Sequence, residues 1–204
     1  MTAHRVGIMG GTFDPVHMGH LIAARAMITA LDLEMLLLSP VSRPWHKSTD
    51  DLASEADRLT MLNLAIADEP DIRVTTVDLD RGGDTYSIDT VRDLARLEAV
   101  RFPNSEVEWY FIAGADAVAG LAGWKSPEEL LQSVQVVSMT RPGYPFVRPA
   151  VTGAESITEI EIDAADISST DVRARASRGE SLDGLVPPAV ADYIRAHGLY
   201  SSAR

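Results

Sequence analysis

Cysteine is absent from the chain. That excludes a disulfide scaffold, a thiolate metal site and a cysteine nucleophile. Lysine is scarce: Lys47 and Lys125 stand against sixteen arginines. No apolar run is long enough for a transmembrane helix. Residues 1–11 lack the apolar stretch of a signal peptide and run directly into a strand-like segment. An excess of positive charge is missing too. The 204 residues carry 18 Lys and Arg against 30 Asp and Glu, a formal charge of −12. A nucleic-acid backbone or an anionic membrane would be repelled by such a surface. Repeats and low-complexity tracts are lacking. The rest is an ordinary globular composition, 46% hydrophobic and 24% charged, expected for one domain over residues 1–204 in the cytoplasm.

The charge is unevenly placed. Residues 1–50 hold four basic and four acidic groups, whereas 51–100 hold five basic and twelve acidic. The neutral N-terminal quarter also carries His4, His17, His20 and His46, four of the five histidines.

Strand-type and helix-type segments alternate. Residues 5–10 read as a buried strand ending in glycines, and 18–31 have helical apolar spacing. Residues 35–38 are a continuous apolar run, as in a buried parallel strand. Ser54 is placed to cap a helix running to about 68, and 72–77 read as a strand. A turn-rich stretch follows at 78–87, then a helix at 88–100 and a strand at 107–112. Ser126-Pro127-Glu128-Glu129 has the form of a helix start. Strands at 134–139 and 159–162 flank a long loop. Two helices, from about 169 and over 188–197, form a small C-terminal helical part at about 168–200. This order predicts an α/β, Rossmann-like doubly wound parallel sheet with helices on both faces. Ligands in such sheets bind beyond the carboxyl ends of the strands.

One strand-to-helix junction stands out: Gly10-Gly11-Thr12-Phe13-Asp14-Pro15-Val16-His17-Met18-Gly19-His20. Glycines allow close backbone approach, and a helix N-terminus offers free N–H groups and partial positive charge to a phosphate. His17 and His20, three apart, share a helix face and can donate to phosphate oxygens, with Gly19 leaving room between them. A tight turn with capping histidines, or a metal pair, are the plainer alternatives. The Gly-Lys-Ser/Thr ending of a Walker loop is not there, nor is the G-x-G-x-x-G of hydride-transfer enzymes.

The segment resembles the H-x-G-H signature of a nucleotidyltransferase superfamily. Its second signature, a Ser/Thr-rich helix start, has a match in Ile167-Ser168-Ser169-Thr170-Asp171-Val172-Arg173. Alone, that segment reads more readily as an ordinary serine cap. Further matches narrow the resemblance to the bacterial nicotinate-nucleotide adenylyltransferases. They are the proline-flanked His46-Lys47 loop, the segment from Arg81-Gly82-Gly83 to Thr90, Gly114-Ala115-Asp116-Ala117 followed by Trp124, Arg141-Pro142-Gly143-Tyr144, and the ending from Pro188 to Tyr200. Lys125 departs from the pattern, standing where an aromatic or histidine is common, and 145–158 match nothing in it.

The resemblance implies adenylyl transfer from ATP to nicotinate mononucleotide, giving nicotinate adenine dinucleotide and pyrophosphate in NAD biosynthesis. A substrate phosphate oxygen attacks the α-phosphorus in line, so catalysis rests on positioning and charge stabilisation. Mg²⁺ is expected on the ATP phosphates, with no resident metal site. Catalytic roles are implied for His17, His20, Lys47 and Arg173. ATP contacts are implied for Gly10, Gly11, Thr12, Phe13, His17, Gly19, His20, Gly114, Asp116, Ile167, Ser169, Thr170 and Arg173. Contacts to nicotinate mononucleotide are implied for Ser39, Lys47, Thr85, Tyr86, Trp124 and Arg141. Taken singly, Lys47 also reads as a solvated lysine, Asp116 as a turn residue, Trp124 as core and Arg141 as half of a surface ion pair. A homo-oligomer is expected from the family alone. The same chemistry on nicotinamide mononucleotide or phosphopantetheine, and a non-catalytic nucleotide sensor, are the alternatives.

Overall fold

The computed structural model describes residues 3–44, 52–101, 106–143, 146–163 and 166–201. Its elements are β1 (His4–Gly11), α1 (Met18–Leu31), β2 (Met35–Pro40), β3 (Arg43–Pro44), α2 (Glu55–Ala65), β4 (Ile72–Val74), α3 (Val77–Arg81), β5 (Asp84–Thr85), α4 (Ser87–Arg101), β6 (Val107–Gly114), α5 (Ala115–Ala119), α6 (Pro127–Ser133), β7 (Gln135–Thr140), β8 (Thr158–Glu161), α7 (Ser169–Ser177) and α8 (Pro188–Ala196).

Six strands form one sheet in the order β4-β2-β1-β6-β7-β8, with every pairing parallel. The period-2 geometry of a strand explains the apolar runs. Leu36 and Leu38 enter one core layer while Leu37 enters the other. Ile112 and Phe111, and Val137 and Val136, divide in the same way. The first layer packs Met27 of α1, Met61 and Leu62 of α2, Val172 of α7 and Ile194 of α8. The second packs Val91 and Leu94 of α4 with Leu130 and Leu131 of α6. Helices therefore cover both faces, as a parallel sheet requires.

The chain runs outward from β1 through β2 to β4, then returns to β6 on the other side of β1. The strand order reverses there, so a crevice opens beyond the C-terminal ends of β1 and β6, at Gly10-Gly11 and Ala113-Gly114.

The structure departs from the sequence reading at 72–87. The strand stops at Val74, and α3 follows at Val77–Arg81. Asp78 and Asp80 sit in its first turn and Arg81 in its last, which suits the helix dipole. Gly82 and Gly83 then both take positive φ, 67° and 71°, which only glycine adopts freely. That double turn brings β5 beside β3 in a small parallel pair, Arg43 opposite Asp84 and Pro44 opposite Thr85. Ser126 also differs: Pro127 opens α6 as expected, but Ser126 is left-handed and its side chain makes no capping bond.

Candidate functional site

The junction between β1 and α1 is built from buried residues. Phe13, Asp14 and His17 are all buried. A Cβ on Gly11 would lie 2.9 Å from the Phe13 ring, so glycine is what lets Phe13 fold back beneath the strand end. Phe13 meets the His20 ring edge-on at 5.0 Å. His17 and His20 stack with ring centroids 3.7 Å apart, although His17 is the extended N-cap residue of α1 and not on the helix face itself.

The hydrogen bonding sets the tautomer of His20. The His17 backbone N–H donates to His20 Nδ1 at 3.2 Å. His20 is therefore an acceptor at Nδ1 and carries its proton on Nε2. Burial, with a lesser contribution from neighbouring His17, lowers the His20 pKa to about 3. Burial and then the charge of Arg141 lower that of His17 to about 4. Both rings are neutral at physiological pH. His17 Nδ1 is buried without a hydrogen-bond partner in the protein. The pair can offer N–H donors at a positive helix end without adding full charges there.

The second sequence motif docks on the first. Ser169 Oγ donates to the Pro15 carbonyl at 3.0 Å, and Arg173 Nη1 donates to the Asp14 carbonyl at 2.7 Å. Segments more than 150 residues apart in sequence thus meet at one point. The N-cap of α7 is Ser168, whose hydroxyl accepts from the Asp171 N–H at 3.1 Å. Thr170 Oγ1 accepts from Arg173 Nη2 at 3.4 Å.

Two cavities flank this junction. The first, about 480 Å³, is lined by Gly10, Gly11 and Thr12 together with Thr85, Tyr86, Asp116 and Trp124. Trp124 is half-buried and stands edge-on to Phe111 at 5.9 Å. Thr85 is buried, and its Oγ1 accepts from the Ser42 N–H at 3.1 Å. The second, about 360 Å³, is largely apolar and is lined by Met18, Ile22, Ile167, Val186, Pro188 and Ala191, with Asp183 at its edge. The two histidines lie on the segment between them.

Several sequence-predicted residues fall elsewhere than expected. Gly10, Gly11 and Asp116 line the first cavity together with Thr85, Tyr86 and Trp124, apart from Ile167 in the second. Ser39 is buried and donates to Asp78 Oδ2 at 2.7 Å, so it stands behind a cavity-lining residue rather than on the cavity. Arg141 is exposed, pairs with Asp166 at 2.9 Å and bears electrostatically on His17; it does not line the first cavity. Gly114 caps α5, and a Cβ there would meet nothing. Buried Gly19 lies in the first turn of α1. Lys47, with His46, lies outside the described residues.

Three residues bear on the junction without having been singled out in the sequence. Arg58 is 1% exposed; its Nη1 donates to the Thr12 carbonyl at 2.9 Å and its Nη2 to the Ser42 carbonyl at 3.4 Å. Asp14 Oδ1 accepts from Tyr200 Oη at 2.6 Å and from the Ala53 N–H at 3.1 Å. Burial first, and Asp14 next, push the Tyr200 phenol pKa up. Asp14 and Tyr200 lie inside matched segments, so their positions were a usable signal; Arg58 had none. Among the described residues no group of three His, Cys, Asp or Glu is placed to hold a metal ion, and no helix is long and apolar enough to cross a membrane.

Comparison with known proteins agrees with this architecture. The model of the cytidylyltransferase-like family matches residues 8–175. A protein of Acidothermus cellulolyticus named "Probable nicotinate-nucleotide adenylyltransferase" is 41% identical over 196 residues, covering 96% of this chain and 94% of its own. A protein of Corynebacterium kroppenstedtii with the same name is 41% identical over 197 residues, covering 96% and 90%. The solved Plasmodium falciparum nicotinic acid mononucleotide adenylyltransferase complexed with NaAD superposes with a TM-score of 0.74 at 18% identity, over 97% of each chain, and shares the fold.

Proposed function

We propose that this chain, which belongs to the nicotinate-nucleotide adenylyltransferases of the cytidylyltransferase-like family, joins ATP to nicotinate mononucleotide, forming nicotinate adenine dinucleotide and releasing pyrophosphate. The observation that carries the reading is the docking of the α7 start on the β1–α1 junction, with one cavity on either side. A dinucleotide has two bases joined through phosphates, and the site has two cavities joined through a phosphate-type helix start.

In this reading the pyridine ring enters the first cavity, against Trp124 and Tyr86. An aromatic face suits a flat ring. The adenine enters the second, where Met18, Ile22 and Ile167 offer apolar surface. The phosphates then lie across the N-terminus of α1. A phosphate oxygen of the mononucleotide attacks the α-phosphorus, the α–β bridging bond breaks, and its electron pair leaves with pyrophosphate. The Nε2–H of His20 and an N–H of His17 donate to oxygens on which charge develops. Arg173, already turned toward Asp14, has further donors for the leaving phosphates. Thr85 and Tyr86, just before α4, present backbone N–H groups to the ring carboxylate.

Mg²⁺ arrives as part of the MgATP substrate and shields charge on the triphosphate. The donor set fits this role, since His17, His20 and Arg173 are N–H donors and the Asp14 carboxylate at the junction already accepts from Tyr200 and the Ala53 N–H. The reading takes the enzyme as cytoplasmic.

Position-specific labelling tests it. With ATP labelled at the α-phosphorus, label should appear in the dinucleotide; with label at the γ-phosphorus, it should appear only in pyrophosphate. Label from the γ position in a nucleotide product would mean phosphoryl transfer and would overturn the proposal.

A further inference from the structure

We propose that Lys125 sets the preference of this site for a carboxylate over a carboxamide on the pyridine ring. The inference rests on the reading above, which places that ring in the first cavity. Three charged side chains line that cavity among the described residues: Asp78, Asp116 and Lys125. Lys125 is the one cation among them. The carboxylate of Asp78 is already engaged, accepting from Ser39 and Thr90, each at 2.7 Å, and pairing with Arg81.

Lys125 is held in place from two directions. Its Nζ donates to Asp89 Oδ2 at 2.7 Å and stands 4.8 Å from the centroid of the Tyr86 ring. Asp89 is fixed in turn by Arg92 Nη1 at 2.9 Å, and Arg92 pairs with Glu129. The ammonium is therefore not a freely swinging surface group. It is pinned beside Tyr86, one of the residues read as receiving the ring carboxylate.

An ammonium has three donor protons. Asp89 takes one, and the Tyr86 face attracts the charge without consuming a donor. Donors remain for a second oxygen. A substrate carboxylate entering between Tyr86 and Trp124 gains a charge-assisted hydrogen bond that a neutral amide cannot match. The Lys125 side chain is 45% exposed, so solvent reduces the effect, and the expected discrimination is about tenfold rather than a thousandfold. Backbone N–H groups serve either ring substituent to some degree, whereas the lysine acts only on the charge. That distinction makes Lys125 a specificity residue rather than a general binding one.

The test uses full-length enzyme with MgATP. It compares kcat/KM for nicotinate and nicotinamide mononucleotides in the wild type, Lys125→Met and Lys125→Arg. The Met variant keeps the apolar stem against Tyr86 and removes the charge. Its nicotinate-to-nicotinamide ratio should fall about tenfold, and Arg should restore most of it. An unchanged ratio in the Met variant overturns the inference. So does a fall that Arg fails to restore, because shape rather than charge would then be responsible. A wild type that turns over neither mononucleotide would instead overturn the functional reading on which the inference stands.

Discussion

Lowering the pH should destabilise this protein through His17 in particular. The ring is 7% exposed and lies flat against His20 at the start of α1. Burial, then the charge of Arg141, hold its pKa at about 4, against about 6.5 in the unfolded chain. The sign follows from which state takes up protons. Above pH 6.5 both states are neutral at this residue and its full contribution is present. As pH falls below 6.5 the unfolded chain binds a proton and the folded one does not, so stability is lost down to about pH 4. Linkage puts the loss between pH 8 and pH 5 at about 2 kcal/mol from this single group. Buried His20, whose pKa is also lowered, adds a loss of the same sign, and a variant at His17 controls for it. Urea denaturation of wild type and His17→Gln at both pH values isolates the term. The wild type should lose about 2 kcal/mol more than the variant on going to pH 5. A difference below about 0.5 kcal/mol would mean that the imidazole is not held neutral by burial, and the role of uncharged donor derived for it would fail.

The other expectations concern single side chains. His17→Ala should lower turnover about a hundredfold or more, the range for losing one transition-state donor; folded protein with near-normal kcat would refute the role. Trp124→Ala should raise KM for the mononucleotide more than for ATP, and an equal rise for both would count against ring contact at that residue. Tyr200→Phe should cost about 2 kcal/mol in denaturation, because the phenol donates to a buried carboxylate 186 residues away. An unchanged midpoint would mean that the Asp14 contact contributes nothing to the fold.

The sequence was most informative where the chemistry is local. The run Met35–Leu38 is apolar throughout because both faces of β2 are covered, and its length marks it as a strand. The start of α1 at Met18 was legible from helical spacing beside paired glycines and histidines. The meeting of the two motifs was expected from resemblance, and the contacts of Ser169 and Arg173 with the Asp14-Pro15 backbone give it a physical form. Long-range polar partners left no comparable trace. Arg58 lies on an amphipathic helix, where arginine ordinarily faces solvent, and its principal acceptor is a carbonyl 46 residues away. Backbone carbonyls carry no sequence signature. Helix α3 was hidden because Asp78, Asp80 and the glycine pair also read as turn residues; its acids become helix-start residues only once Gly82 terminates it. Arg141 was named from its place on the strand-end rim and from the Arg141–Tyr144 resemblance. Its side chain pairs with Asp166, the ion pair that the residue taken singly suggests, and bears on His17.

The central claim is that the two cavities take the two halves of one dinucleotide, and product formation tests it most directly. Purified protein with MgATP would be offered nicotinate mononucleotide, nicotinamide mononucleotide or phosphopantetheine, and pyrophosphate release followed with each. The account predicts rapid release with the nicotinate form, slower release with the amide and none above background with phosphopantetheine. Release with phosphopantetheine that exceeds both pyridine nucleotides, or no release with any acceptor from folded protein that binds ATP, would contradict it.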